Sequence, residues 1–264
     1  MKSLKPFLLI TIINVVIVFF LISFLGNKKN NNQAIQSNVY DFQEGVSSHW
    51  ISFENLKGEK GKGGMENKGW KGHPYDHIKA GETKVIFDVE GSGLIHRFWM
   101  TGGIKINPEA REFLRIDIFW DNQDKPAVSA PVSAFFGGLM GTMPAFETEA
   151  TSSPEGRSFC SFFQMPFKER AKITITNESD ELYSLLYFDV SYSLGVKHSD
   201  QMLYFHSFWN REKPPIGTDY TILPKLNGKG RLYGAFKGCP RPALAAKARG
   251  YGRGGCVARC TRGA

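Results

Sequence analysis

Several carboxylates in the body of the chain could supply acid–base chemistry. Hydrolysis of a glycosidic bond needs two of them about 5–10 Å apart, one acting as an acid and the other as a base or nucleophile. No spacing in the sequence shows which of them meet in space. The candidates are Glu54, Asp117, Asp121, Glu147, Glu149 and Glu212.

Aromatic residues are interleaved with polar ones at Trp99, Trp120, Phe135-Phe136 and Trp209. Aromatic rings of this kind can stack on the apolar faces of sugars. The alternative is that they fill the core of an ordinary β-sandwich. The pattern alone leaves both interpretations open.

Other chemistries find little support in the sequence. His73 and His77 are four residues apart, but Pro74 argues against the helix that would align them on a metal ion. The Gly- and Lys-rich segment 57–72 matches no phosphate-binding motif, and we expect either a solvated loop or a loop that lines a ligand cleft. We therefore expect no metal site and no cofactor.

The elements that must position these residues are β-strands. Segments rich in β-branched and aromatic residues are separated by Gly, Pro, Asn and Asp, and several alternate with a period of two. The predicted strands are residues 83–89, 94–101, 113–120, 158–165, 171–177 and 183–194. Many short strands with turn punctuation predict an all-β, antiparallel sandwich or barrel, the jelly roll included.

The amino terminus predicts a membrane segment. Residues 7–25 carry no charge, and as a helix they would reach about 28 Å, close to the thickness of a bilayer core. We expect a single uncleaved transmembrane helix within residues 1–26, with a cleaved signal peptide as the alternative. Residues 27–47 then form a polar stalk, and the domain lies outside the cytoplasm, or is secreted if the leader is cleaved.

The net charge of +8 does not indicate a nucleic-acid partner for the body of the chain. Six of these charges lie in residues 239–264, which carry five Arg, one Lys and no acid. This abrupt change of composition is typical of a shifted reading frame or an assembly artefact, and a genuine basic tail is the alternative. We expect this tail to be disordered.

Nine short blocks of sequence, taken in order, follow one family pattern. The blocks are SFEN (52–55), GET (81–83), GSGLIHRFWMT (91–101), LRIDIFWD (114–121), PVSAFFG (131–137), MPF (165–167), NES (177–179), YFHSFWNRE (204–212) and DYTIL (219–223). Together they resemble the domain-of-unknown-function family 2961, also classed as glycoside hydrolase family 172. The resemblance covers about residues 48–238, which we expect to form one jelly-roll sandwich that is incomplete at its C-terminal side.

The resemblance implies a jelly-roll architecture, assembly as trimers or larger, and action on fructofuranosyl or arabinofuranosyl linkages. The family's two catalytic Glu are expected after residues 230–236, in W-W-G-E-G-E-like and T-E-D-Y-like blocks. No Glu or Asp follows Asp219 in this chain, so no catalytic residue is assigned. The residues expected near the sugar cleft are Glu54, Trp99, Asp121, Phe135, Phe136, His206 and Arg211.

The sequence thus predicts an exported, membrane-anchored glycoside hydrolase-like protein for furanosides, present as a truncated and inactive fragment. Its expected partners are a carbohydrate and the membrane. The alternative is a carbohydrate-binding or structural β-sandwich with no catalysis even when complete.

Overall fold

The computed structural model describes residues 42–102, 113–138, 144–212 and 219–238, together with the backbone of residues 253–261. The predicted membrane helix lies outside the described residues, as does most of the predicted stalk. Among the described residues, no helix is long and apolar enough to cross a membrane. The chain divides after Glu44, and the described strands lie in the unit Gly45–Ala264.

The described part of this unit is built from strands and two single-turn helices, which confirms the all-β prediction. The strands are β1 (Ser47–Ser52), β2 (Asp76–Ile78), β3 (Thr83–Glu90), β4 (Gly93–Thr101), β5 (Leu114–Trp120), β6 (Val128–Pro131), β7 (Phe146–Glu147), β8 (Thr151–Ser153), β9 (Ser158–Ser161), β10 (Met165–Phe167), β11 (Arg170–Asn177), β12 (Tyr183–Leu194), β13 (Tyr204–Glu212), β14 (Gly230–Gly238) and β15 (Arg253–Thr261). The helical turns are α1 (Glu66–Gly69), in which Asn67 and Lys68 have left-handed backbone angles, and α2 (Val132–Phe135).

The strands form three sheets in which the described pairings are antiparallel. The eight-stranded sheet has the order β1-β12-β4-β9-β8-β7, with β10 also paired to β4 and β2 to β12. The four-stranded sheet has the order β3-β11-β5-β6, and the three-stranded sheet the order β13-β15-β14. The chain alternates between the two larger sheets, since β3, β5 and β11 belong to one and β4 and β12 to the other.

The two larger sheets pack face to face as a β-sandwich. Leu114, Ile116 and Ile118 alternate along β5 and are at most 1% exposed, so this face of the strand lies in the core. Across the core, the edge of the Phe87 ring meets Tyr192 with 5.0 Å between ring centroids. Each fully buried Ile or Phe of this kind stabilises the fold by about 1.5–3 kcal/mol.

The segment predicted as one strand over residues 158–165 is two strands in the structure, β9 and β10. Both pair with β4, with Phe98 opposite Ser161 and Ile95 opposite Met165. Two residues of β4 therefore face three residues of the other segment, and the ladder breaks there. Phe163 lies in this break and is buried against Phe205, with 4.8 Å between ring centroids.

Residues 253–261 lie in the tail that was expected to be disordered. They form β15, the middle strand of the three-stranded sheet. Strand pairing uses main-chain N–H and C=O groups, which every residue except proline offers in full. A segment rich in Arg and Gly can therefore complete a sheet between two strands whose edges would otherwise lack partners.

Candidate functional site

A row of side chains crosses the outer face of the eight-stranded sheet. Directly paired residues of antiparallel strands point to the same side. Asp189 of β12 is paired with Ser52 on one side and Trp99 on the other, and Trp99 is also paired with Cys160 of β9. Phe188 and Phe98, the neighbours of Asp189 and Trp99 along their strands, are buried in the core. The row therefore faces away from it.

An ion pair flanked by two tryptophans dominates this face. Arg97 donates from Nη1 to Asp189 Oδ1 at 2.5 Å, and the two side chains are 30% and 14% exposed. The Arg97 guanidinium also lies over the Trp50 ring, 5.5 Å from its centroid. Trp50 is 52% exposed, and Trp99 is half-buried on the other side of the pair. We call Trp50, Arg97, Trp99 and Asp189 the outer-face cluster.

Burial shapes the electrostatics of this cluster. It raises the pKa of Asp189, and the Arg97 guanidinium opposes only part of that effect. Burial likewise raises the pKa of the Cys160 thiol, again with opposition from Arg97. Cys160 therefore stays a protonated thiol beside the cluster. The residue is 7% exposed and forms no disulfide.

A groove adjoins the cluster along β1. It has a volume of about 540 Å³ and lies between this strand and the first part of the Gly- and Lys-rich loop. Its lining residues are Ser47, Ser48, His49, Trp50, Ser52, Asn55, Gly58, Glu59, Lys60, Gly61 and Gly63. Trp50 belongs both to the groove and to the outer-face cluster, so the two are continuous.

Glu54, expected near a sugar, closes the base of this loop. Its Oε1 accepts a hydrogen bond from the backbone N–H of His73 at 3.0 Å, nineteen residues along the chain. The neighbouring Phe53 ring stacks on His73 with 5.7 Å between centroids. Glu54 Oε2 is buried without a hydrogen-bond partner among the described residues. The contacts of Glu54 thus hold the two ends of the loop together.

Asp121, also expected near a sugar, joins three parts of the sandwich. Its Oδ1 accepts hydrogen bonds from the backbone N–H groups of Lys168, Glu169 and Arg170 at 2.9, 2.8 and 3.2 Å. Its Oδ2 accepts one from the Tyr204 hydroxyl, whose pKa is raised by burial and by Asp121 itself. Both oxygens of Asp121 are therefore engaged in holding the frame.

Phe135 and Phe136 lie in the core at 2% and 0% exposure. The Phe136 ring is 5.2 Å from Phe98 and 5.7 Å from Phe159, measured between centroids. A ring without exposed surface cannot stack on a sugar, so their place in the core does not fit that expectation. The α2 turn carries Phe135 inward, and Phe136 follows it directly.

His206 and Arg211 belong to β13 of the three-stranded sheet and not to the outer-face cluster. His206 is paired in register with Arg259, and Arg211 with Gly254. The Arg211 guanidinium lies 5.7 Å from the centroid of the Trp209 ring. Of the seven residues expected at the cleft, Trp99 alone belongs to the outer-face cluster.

Three members of the cluster were missed from the sequence: Trp50, Arg97 and Asp189. Arg97 and Trp99 are two residues apart in a predicted strand, which places them on one face. Asp189 is the single acid in the apolar strand 183–194. These signals are present in the sequence, but the sequence does not show which strands are neighbours.

The segment 73–189 matches the family model described as GH172 domain-like. The chain carries a GH172-like domain. This confirms the resemblance to a glycoside hydrolase-like family. Three residues of the outer-face cluster lie inside the GH172-like segment, while Trp50 and the Gly- and Lys-rich loop precede it. No curated protein matches the chain.

In the described part of the chain, no three His, Cys, Asp or Glu side chains gather in an arrangement that could hold a metal ion.

Proposed function

We propose that this protein binds furanosides, with fructofuranosyl or arabinofuranosyl linkages, on the outer-face cluster, three of whose four residues lie in its GH172-like domain. It acts as an exported, membrane-anchored protein that does not hydrolyse these sugars by itself. The predicted leader and stalk support export and anchoring, and the family resemblance supports furanosides and assembly as trimers or larger. The alternation of the chain between two sheets supports a jelly roll.

The observation that carries this proposal is the ion pair Arg97–Asp189 between two tryptophans. Sugars present apolar C–H faces, which stack on aromatic rings, and hydroxyl groups, which both donate and accept hydrogen bonds. Arg97 supplies donors only and Asp189 acceptors only, so together they can serve neighbouring hydroxyls. Trp50 and Trp99 supply the apolar surface on either side.

The same face supports binding better than hydrolysis. A glycosidase holds its two carboxyl groups about 5–9.5 Å apart, depending on the stereochemical outcome. Asp189 shares its row across the sheet with Glu147 of β7, with β4, β9 and β8 between their strands. Four strand spacings of about 4.8 Å put them roughly 19 Å apart, too far to act on one bond.

The alternative function is that of a structural sandwich in which Arg97–Asp189 only ties β4 to β12. In the four-stranded sheet an ion pair does favour a purely structural role: Arg170 of β11 pairs with Asp88 of β3. That pair has no exposed tryptophan among its described contacts. The outer-face cluster has Trp50, half exposed, against its arginine.

Titration of the full chain with furanosides tests the proposal. The protein is held in a detergent without a sugar headgroup, and calorimetry is run with fructofuranosyl and arabinofuranosyl oligosaccharides and with pyranosides as the comparison. We expect binding of a furanoside series and no release of reducing sugar.

Trp99→Ala should weaken this binding by about tenfold or more, since a stacked aromatic ring is a typical hot spot. The matched control is Trp70→Ala, because Trp70 is 81% exposed in the loop and outside the cluster. Equal binding of pyranosides would refute the preference for furanosides. Turnover of a furanoside by the purified chain would refute the absence of hydrolysis.

A further inference from the structure

The groove along β1 extends the proposed binding face beyond the size of one sugar. Trp99 lies on β4, and β12 separates β4 from β1. Two strand spacings, about 10 Å, therefore separate Trp99 from the strand that forms one side of the groove. We infer that the groove is a second subsite and that the ligand is an oligosaccharide rather than a single sugar. This inference rests on the proposed function.

The groove has the chemistry of a sugar subsite. In the described part of the chain, β1 ends the eight-stranded sheet, and its outer edge has no strand partner apart from an isolated bridge between Ser52 and Asn55. Its other edge therefore presents backbone donors and acceptors along the groove. Ser48, Lys60 and the Trp50 ring add hydroxyl, ammonium and apolar surface. The volume of about 540 Å³ falls within the range of small-molecule sites, about 300–1,000 Å³.

The loop side of the groove is held in place by contacts within the chain. The Asn55 side chain donates to the carbonyl of Glu59 at 2.8 Å and accepts from its N–H at 3.2 Å. Gly58 has a φ of +62° and packs so closely that a Cβ there would come within 2.5 Å of the Tyr192 hydroxyl. His49 Nδ1 makes a further hydrogen bond to the Gly58 carbonyl at 3.1 Å. A preformed groove loses little conformational entropy on binding.

A substitution at Gly63 can block the groove and leave the outer-face cluster untouched. Gly63 lines the groove, has open space around the position of a Cβ, and lies outside the left-handed region. Gly63→Trp therefore adds a large side chain without backbone strain. Gly63→Ala is the matched control, because it makes the same backbone change without the bulk.

The experiment measures the affinity of the full chain for fructofuranosyl and arabinofuranosyl oligosaccharides of one to six units. We expect affinity to rise at least tenfold between the shortest and the longest ligand. Gly63→Trp should remove that gain and keep the affinity for the shortest ligand, while Gly63→Ala should keep both. Thermal unfolding of each variant checks that the fold is intact.

The outcomes separate this inference from the proposed function. Binding that does not depend on ligand length, or a gain that survives Gly63→Trp, overturns the second subsite and leaves furanoside binding in place. A failure of every ligand to bind overturns both.

Discussion

The two faces of the eight-stranded sheet differ although the same strands build them. On the inner face, Phe98 and Met100 of β4 are at most 1% exposed and join the core. On the outer face, Arg97 and Trp99 of the same strand stay partly exposed beside Asp189. Alternation along one strand thus separates the residues that stabilise the fold from those proposed to bind a ligand.

The sharpest way to test this division is to remove a core ring that packs against the inner face. Phe136→Ala should lower the free energy of unfolding by about 3–5 kcal/mol, because it leaves a cavity among Phe98, Phe135 and Phe159. Chemical denaturation measures the loss. Phe162→Ala, at a 42% exposed ring, should cost less than about 1 kcal/mol. If the folded Phe136→Ala protein bound furanosides more weakly than wild type, the two faces would not have separate roles.

The next largest effect is expected at Asp121, a carboxylate used by the frame. Asp121→Ala should lower the free energy of unfolding by about 2–4 kcal/mol, since four donors lose their acceptor and alanine is strained at a φ of +49°. Urea denaturation measures this, and Asp124→Ala, at an exposed neighbour, is the control. A loss within the error of that control would show that the frame does not depend on Asp121.

Asp189, the carboxylate of the outer face, should behave in the opposite way. Asp189→Asn should weaken furanoside binding about tenfold, the worth of one charge-assisted hydrogen bond. The stability of the fold should change little, because a neutral amide avoids the cost of burying a charge, which is what raises the pKa of Asp189. Calorimetry compares it with Asp88→Asn, which removes an ion pair from the other sheet. Equal effects of the two substitutions would contradict a special role for the outer face.

The smallest effect is the pH dependence that follows from Asp189. Because the pKa of Asp189 is raised, binding should fall as the pH is lowered from neutral towards that pKa, which lies above the value of an ordinary Asp. The contribution of Asp189 to stability changes with pH in the opposite direction. The folded state holds this proton more tightly than the unfolded chain does. The contribution to stability is therefore present below 3.8, the ordinary pKa of an Asp, and is lost as the pH rises through the raised pKa.

The difference in the free energy of unfolding between wild type and Asp189→Asn, followed against pH, isolates this contribution. Other groups have the opposite effect, such as Glu82, whose pKa is lowered by a hydrogen bond from the Lys79 backbone N–H. Binding by the wild type that stays constant over this pH range would remove Asp189 from the site.

Most strands could be predicted from the sequence because their signals are local. Residues 183–194 were predicted as one strand and are β12, and the segments at 83–89 and 171–177 each differ from β3 and β11 by one residue. The break between β9 and β10 could not be predicted, since it depends on the partner strand β4. The strand at Arg253–Thr261 was missed for a similar reason, because its composition favours no strand and its neighbours supply the pairing.

The candidate site shows the same limit more strongly. Trp99 was predicted from its residue type, but Asp121 and Phe136 have types that suit either a site or a frame. Only their contacts decide between these roles: Asp121 with four hydrogen bonds and Phe136 with no exposed surface.

By itself, the sequence determined an all-β chain, the strands that alternate, and a resemblance to a glycoside hydrolase-like family. Tertiary structure alone decided that Asp189 lies between Ser52 and Trp99, and that Arg97 meets both Asp189 and Trp50. The physical reason is that alternation is set by neighbouring residues, whereas the register between strands some ninety residues apart is set by the packing of the whole sandwich.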